Sequence, residues 1–242
     1  ITYNAAISAC EKCGQWEQAL KLLNSLQEAN LTPDNITYNA AMSACEKGGA
    51  WQEALRVLQQ GLENGLQPDT ITYNAAISAC AKGGQWQWAL ELVAAMRERG
   101  VPPSVITYNA AISACQKAGQ WERALQLMAE MPELGLTRDT ITYSAAVSAC
   151  EKGAQWRLAL HLLHIMEEQA VPRDRIVYNA AIAACGKGRQ WQWAMRLFQY
   201  MQDSNIAPDP ITYGSVVNAC ERSGEWECAL WLLQDMQDSN IA

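Results

Sequence analysis

The chain repeats itself every 35 residues, and no other feature limits its possible folds as strongly. The run ITYNAAISACEKCGQWEQAL at residue 1 returns as ITYNAAMSACEKGGAWQEAL at 36 and as ITYNAAISACAKGGQWQWAL at 71. The phrase restarts at Ile106, Ile141, Ile176 and Ile211 without a slip of register. Residues 1–242 are therefore read as one array, with repeats at 1–34, 35–69, 70–104, 105–139, 140–174, 175–209 and 210–242. Ile1 already lies inside the pattern, so the chain is read as a piece of something longer.

Each repeat predicts two helices. Tyr3, Ala6, Ile7 and Cys10 recur at i, i+3, i+4 and i+7, which puts them on one buried stripe of a first helix. A glycine-containing turn such as Gly48-Gly49 or Gly83-Gly84 ends it. A second helix carries Trp16, Ala19, Leu20, Leu23 and Leu26, and stops before a loop such as Leu31-Thr32-Pro33-Asp34, where proline cannot continue it. A lone hairpin cannot bury both stripes, whereas stacked neighbours can. The expected fold is all-α: an α-solenoid superhelix of tandem helix-turn-helix repeats. The tryptophan in each copy, from Trp16 to Trp226, is read as packing on the second helix, and small residues such as Ala40 and Ala44 as letting helices approach closely.

Composition narrows the function. Half the residues are apolar, and no apolar run is long enough to cross a membrane. No signal or transit segment is read in the chain. Seven of the nine cysteines fall on the period, from Cys10 to Cys220, which marks one structural slot in a reducing compartment and no disulfide framework. Cys10 and Cys13 form a C-x-x-C without the second pair that a zinc site needs, so no metal and no cofactor are expected. His161 and His164 have no partner constellation, and no nucleophile elbow, phosphate-binding loop or H-E-x-x-H run occurs, so no active site is expected within this chain. The net charge of −7 argues, taken alone, against a nucleic-acid partner.

The recurring phrase ITYNAAISAC-EK-GG-W--AL---M-E-G--PD resembles the pentatricopeptide repeat family in its plain form, over essentially the whole chain. That resemblance implies single-stranded RNA as the partner, one base read per repeat, and two reading residues: the one after the tyrosine and the last of the repeat. Here the pairs are Asn4 with Asp34, Asn39 with Asp69, Asn74 with Ser104, Asn109 with Asp139, Ser144 with Asp174, and Asn179 with Asp209. Gly214 occupies the first slot of repeat seven, which ends before its partner. The family holds bases between apolar side chains, which correspond to Ile1, Ile36, Ile71, Ile106, Ile141, Ile176 and Ile211. By the family rule the pairs read U, U, C, U, G, U from 5′ to 3′. The chemistry is consistent: an amide offers both a donor and an acceptor to a pyrimidine edge, and a serine–aspartate pair offers acceptors to guanine. The family also implies work in mitochondria or chloroplasts, in RNA processing, stability, translation or editing, alongside other proteins of RNA processing.

Each candidate has a plainer reading. Aspartate before a helix is commonly an N-cap. Asparagine early in a helix has less structural excuse, so it carries more of the inference. Lys12, Lys47, Lys82, Lys117, Lys152, Lys187 and Arg222 share one slot and are read as a phosphate ladder; the alternative is a solvated surface. Glu11, Glu46 and Glu151, beside their lysines, are expected to weaken it, while Glu17, Glu28, Glu98, Glu167 and Glu168 belong to the second helices and loops, away from it. Arg138 and Arg173, standing where the loop proline is expected, should loosen their loops. The competing functions are a protein-interaction solenoid and the guiding part of a larger RNA-processing enzyme.

Overall fold

The computed structural model describes residues 2–29 and 31–239, and the described residues form helices and turns with no strand. Two compact units are present. The first comprises residues 1–118 with 133–136, and the second 119–132 with 137–242. The first unit holds α1 (Thr2–Lys12), α2 (Trp16–Glu28), α3 (Asn35–Gly48), α4 (Trp51–Glu63), α5 (Thr70–Lys82), α6 (Trp86–Glu98) and α7 (Val105–Lys117). The second holds α8 (Trp121–Glu130), α9 (Thr140–Lys152), α10 (Trp156–Glu168), α11 (Arg175–Lys187), α12 (Trp191–Asp203), α13 (Pro210–Ser223) and α14 (Trp226–Asp238), and a 3-10 turn at Pro132–Leu134 follows α8.

Within each unit the packing is between neighbours. In the first, α1, α3, α5 and α7 stack side by side, and each second helix packs on its own first helix and on the first helix of the next repeat. The second unit repeats this through α9, α11 and α13. Within each unit successive second helices stand farther apart, and α4 reaches α2 through a side-chain bond, from the Gln60 amide to the Gln27 oxygen at 2.9 Å. The first helices are thus the closely packed layer. Their contact face explains this: Tyr38, Ala41, Met42, Ala44 and Cys45 are buried, and the same slots are buried in α5, α7, α9 and α11. Alanine brings the backbones close, and the tyrosine ring fills the space left at one end.

The thiols follow from that burial, which pushes Cys45 and Cys185 up to about 12, and Cys80, Cys150 and Cys220 to about 11. None of the nine cysteines forms a disulfide. At the repeat slot Trp16, Trp51, Trp86, Trp121, Trp156 and Trp191 are half-buried and Trp226 is exposed. Trp16 and Trp51 pack against buried Cys45, Ala54 and Ala79. The indoles of Trp16, Trp51, Trp121 and Trp156 also close on the next turn: a Cβ built on Gly83 would stand 2.3 Å from Trp51 Cδ1. The packing reading of the tryptophans holds.

The turns are set by one backbone state. After each first helix a residue takes the left-handed conformation, which lets the following N–H return to the last turn; the Gln85 N–H, for example, reaches the Cys80 carbonyl at 2.9 Å. Gly14, Gly49, Gly84, Gly119 and Gly224 fill that slot, but Ala154 and Arg189 hold it at φ of 53° and 54°. A side chain there costs roughly 1–2 kcal/mol. Ala154→Gly and Arg189→Gly should each raise stability, by up to about 1 kcal/mol after the entropic penalty of glycine, seen as a higher midpoint in thermal or urea unfolding.

Candidate nucleic-acid interface

Four residues of each first helix form a stripe opposite the buried face. In α3 they are Ile36, Asn39, Ser43 and Lys47, at i, i+3, i+7 and i+11, within about 80° of arc. The isoleucine is the unusual member. Ile36, Ile71, Ile106, Ile141, Ile176 and Ile211 are all 61–67 % exposed. Six large apolar side chains left in water at one fixed slot have no role in the core. Ile1 lies outside the described residues.

Beside Ile36, Ile71 and Ile176, and at Asn4 in α1, sits a polar network that joins two repeats. Asp34 caps α3: its Oδ1 accepts the Thr37 backbone N–H at 2.8 Å and lies 2.7 Å from the Thr37 hydroxyl. The Asn4 amide nitrogen donates to the same carboxylate at 3.2 Å, and the Thr37 hydroxyl donates to the Asn4 carbonyl oxygen at 2.6 Å. Asn39, Asp69 and Thr72 repeat this arrangement, with 3.4 Å from amide to carboxylate and 2.6 Å from hydroxyl to amide. So do Asn179, Asp209 and Thr212, at 3.3 and 2.7 Å. In repeat three Ser104 replaces the aspartate and keeps the geometry, 3.3 Å from the Asn74 amide nitrogen. Asn109 belongs to the first unit and Asp139 to the second, where Asp139 caps α9 by accepting the Thr142 N–H at 2.8 Å.

The aspartates therefore do cap, as the plainer reading held. The asparagines also have a structural partner, which sequence reasoning did not give them. The threonines were missed, although their signal was visible: the slot is Thr in every repeat except at Val177. The network also sets the carboxylates. Hydrogen bonds from the Thr37 hydroxyl and N–H hold Asp34 below the usual carboxylate range, against a smaller opposing push from burial. For Asp69 and Asp209 burial is the largest influence and pushes upward, but donors from Thr72 and Asn39, and from Thr212, Asn179 and Arg175, together outweigh it and leave both lowered.

The cations are exposed at every copy, but several are paired across repeats. Lys47 meets Glu11 at 2.9 Å, Lys82 meets Glu46 at 3.0 Å, and Lys187 meets Glu151 at 2.5 Å. Each glutamate thus engages the next repeat's lysine and not the one beside it in sequence. Lys117 donates to the Ala81 carbonyl, and Arg222 to the Asn218 side chain. These lysines remain 34–47 % exposed, so their pairs are of the weak, solvent-screened kind.

The model of the PPR repeat family matches residues 1–47, 103–152 and 173–222, more than half of the chain. The chain belongs to the pentatricopeptide repeat family. The pentatricopeptide repeat domain model matches 56–118, and the single PPR repeat model matches 36–66 and 211–241. Among solved structures, the pentatricopeptide repeat protein PPR10 from maize is 26% identical, with a TM-score of 0.73 over 99% of this chain and 34% of that one. PPR10 in complex with an 18-nt psaJ RNA element is similar at 22% identity and a TM-score of 0.62, over 100% of this chain and 40% of that one. The PPR domain of Arabidopsis thaliana protein-only RNase P 1, in complex with tRNA, matches at 15% identity and 0.63, over 72% of this chain and 91% of that one. This chain thus spans about a third of the PPR10 chain. No curated protein matches it in sequence.

As a pentatricopeptide array the chain has three departures. Ser144 turns its hydroxyl onto the Thr140 carbonyl of its own helix at 2.7 Å, and Asp174 caps α11 through the Val177 N–H. Gly214 leaves its slot open, with nothing within 4 Å of where a Cβ would stand. Arg138 and Arg173 do not simply loosen their loops. Arg138 Nε donates to the Met128 carbonyl at 2.9 Å, while Arg173 lies over the Tyr178 ring and 3.5 Å from Glu167. Among the described residues no cluster of ligands could hold a metal.

The caps predict a pH dependence. The lowered carboxyls of Asp34, Asp69 and Asp209 stabilise the folded chain above the unfolded aspartate value of about 3.9, and that contribution is lost as pH falls through and below it. Melting midpoints should hold down to about pH 4 and then drop. Asp69→Ala should cost about 1 kcal/mol at pH 7 and flatten the drop.

Proposed function

We propose that this chain binds single-stranded RNA sequence-selectively along its first-helix stripe, one base per repeat. The observation that carries the reading is the row of exposed isoleucines, of which Ile36, Ile71 and Ile176 each flank an amide whose hydrogen bonds are already directed. A base plane is a flat apolar surface of the size needed to cover such side chains, and single strands leave both planes and edges free. The likeness to PPR10, described in complex with an RNA element, supports the same reading.

The pairs carry the selectivity. Asn4 spends one N–H on Asp34 and one lone pair on Thr37. The other N–H and lone pair remain for a pyrimidine edge. Ser104 supplies neutral oxygen where Asp69 supplies charge, which distinguishes the cytosine expected at repeat three from uracil. In repeat five the Ser144 proton is engaged by Thr140, so its oxygen offers lone pairs beside Asp174, a set suited to the N1–H and amino group of guanine. The preferred strand is 5′-UUCUGU-3′. The lysine slot lies on the same stripe and contacts phosphate once the glutamates are displaced. The biological setting is RNA processing, stability, translation or editing in a mitochondrion or chloroplast, a reading supported by family membership.

In equilibrium binding, 5′-UUCUGU-3′ should exceed each single-base variant by about fivefold, the value of roughly 1 kcal/mol per lost hydrogen bond. Ser104→Asp should move the third preference from C to U; an unchanged third base refutes the pairing. Replacing Glu11, Glu46 and Glu151 together by Gln should tighten binding and steepen the log–log salt slope by about 2, at roughly 0.7 per released lysine.

A further inference from the structure

An amide reads a base edge well only if its orientation is held, because a flip exchanges its donor and acceptor. Two neighbours can hold it here. The carboxylate at the end of the repeat, an acceptor only, faces the amide nitrogen. The threonine three residues beyond it faces the amide oxygen, at 2.6 Å for Thr37, Thr72 and Thr107 and 2.7 Å for Thr212.

These hydroxyls are not free to rotate. Each threonine is buried, at 0–1 % exposure. Each oxygen also accepts the backbone N–H of the capping residue, at 3.4 Å in Thr37, 3.2 Å in Thr72, 2.9 Å in Thr107 and 3.1 Å in Thr212. With that lone pair engaged, the hydroxyl proton is shared between the asparagine oxygen and the capping carboxylate, which stands 2.7 Å from the Thr37 hydroxyl and 2.8 Å from those of Thr72 and Thr212. Because the carboxylate also takes the amide N–H, the amide oxygen is the end left facing the hydroxyl. In repeat three this matters most, because the Ser104 hydroxyl can donate as well as accept and cannot by itself decide which way Asn74 points.

The chain contains its own control. In one place only does a serine stand in for the asparagine with a following repeat to receive it, at Ser144, and there the threonine slot is Val177. Val177 is fully buried, and Ser144 turns away to its own helix. The amide and the hydroxyl are present together or absent together.

We infer that the buried threonine of the next repeat is a positioning residue for base choice: its hydroxyl orients the asparagine amide of the preceding repeat, so selectivity is set by three residues spread over two repeats. This rests on the one-base-per-repeat reading above. It differs from a purely capping role for the threonine, which would affect helix stability but not the ranking of bases at one position.

The test measures binding of the full chain to RNAs varied at a single base. Thr72→Val should lower the preference for uracil at the second base by about three- to tenfold, the range for one hydrogen bond, while preferences at the other bases keep their ratios. Thr72→Ser, which restores the hydroxyl, should restore it. Ser144→Asn alone should give weak discrimination at the fifth base, and Ser144→Asn with Val177→Thr should raise its pyrimidine preference by a similar factor. Should Thr72→Val fail to fold, this second pair decides the matter, since it adds a cap interaction and removes none. If the native chain discriminates bases but Thr72→Val keeps its second-base preference, or the single and double variants at 144 and 177 select equally, the inference is overturned and the reading above survives. A native chain without any base preference overturns the reading itself.

Discussion

The close stacking of first helices is the interaction on which the rest of this molecule depends. Alanines at the contact face let the backbones approach, and a buried tyrosine fills the space beside them. Because the contact face is the same in each copy, the opposite face returns with the same orientation, although its asparagine gives way to Ser144 and Gly214 in two copies. A regular buried stripe therefore produces a regular exposed one, and the isoleucine, the asparagine and the cation return at equal intervals within each unit. The left-handed residue after each first helix maintains this, since the chain must reverse in the same way each time for the period to hold.

In the proposed reading the polar network shares its atoms between a structural and a recognising role. An aspartate at the end of one repeat is the N-cap of the next helix and also the acceptor for an amide 30 residues earlier. The asparagine is consequently not an idle residue awaiting a ligand; it has partners in the folded chain. Its presence alone is weaker support for base reading than its spacing implied. The support comes instead from the exposed isoleucines, which satisfy nothing inside the protein, and from the hydrogen-bonding capacity the amide retains.

Electrostatics reconciles an acidic chain with an anionic partner only in part. The second helices carry much of the negative charge, but Glu11, Glu46 and Glu151 sit on the first helices and hold three of the slot's cations. An exposed lysine–carboxylate pair is worth little in water, so in the proposed reading a phosphate replaces the carboxylate at small cost. On that reading the glutamates lower affinity without abolishing it, which favours selection by base contacts over indiscriminate attraction to any polyanion.

The 35-residue period, the helical spacing of apolar residues and the glycine and proline punctuation determined the all-α repeat fold from sequence alone, because local propensity and hydrophobic pattern agree in every copy. The resemblance to the family, and not the period, singled out the isoleucine, asparagine and aspartate slots, while the lysine slot stood out as a cation in every copy. Neither could say which residue of one repeat touches which residue of the next. The Thr37 hydroxyl on Asn4, and Lys47 on Glu11 where sequence adjacency pointed to Lys12, lie more than thirty residues apart in sequence. Such contacts exist only once the hairpins stack, since the offset between adjacent helices is a property of their packing and not of either helix by itself.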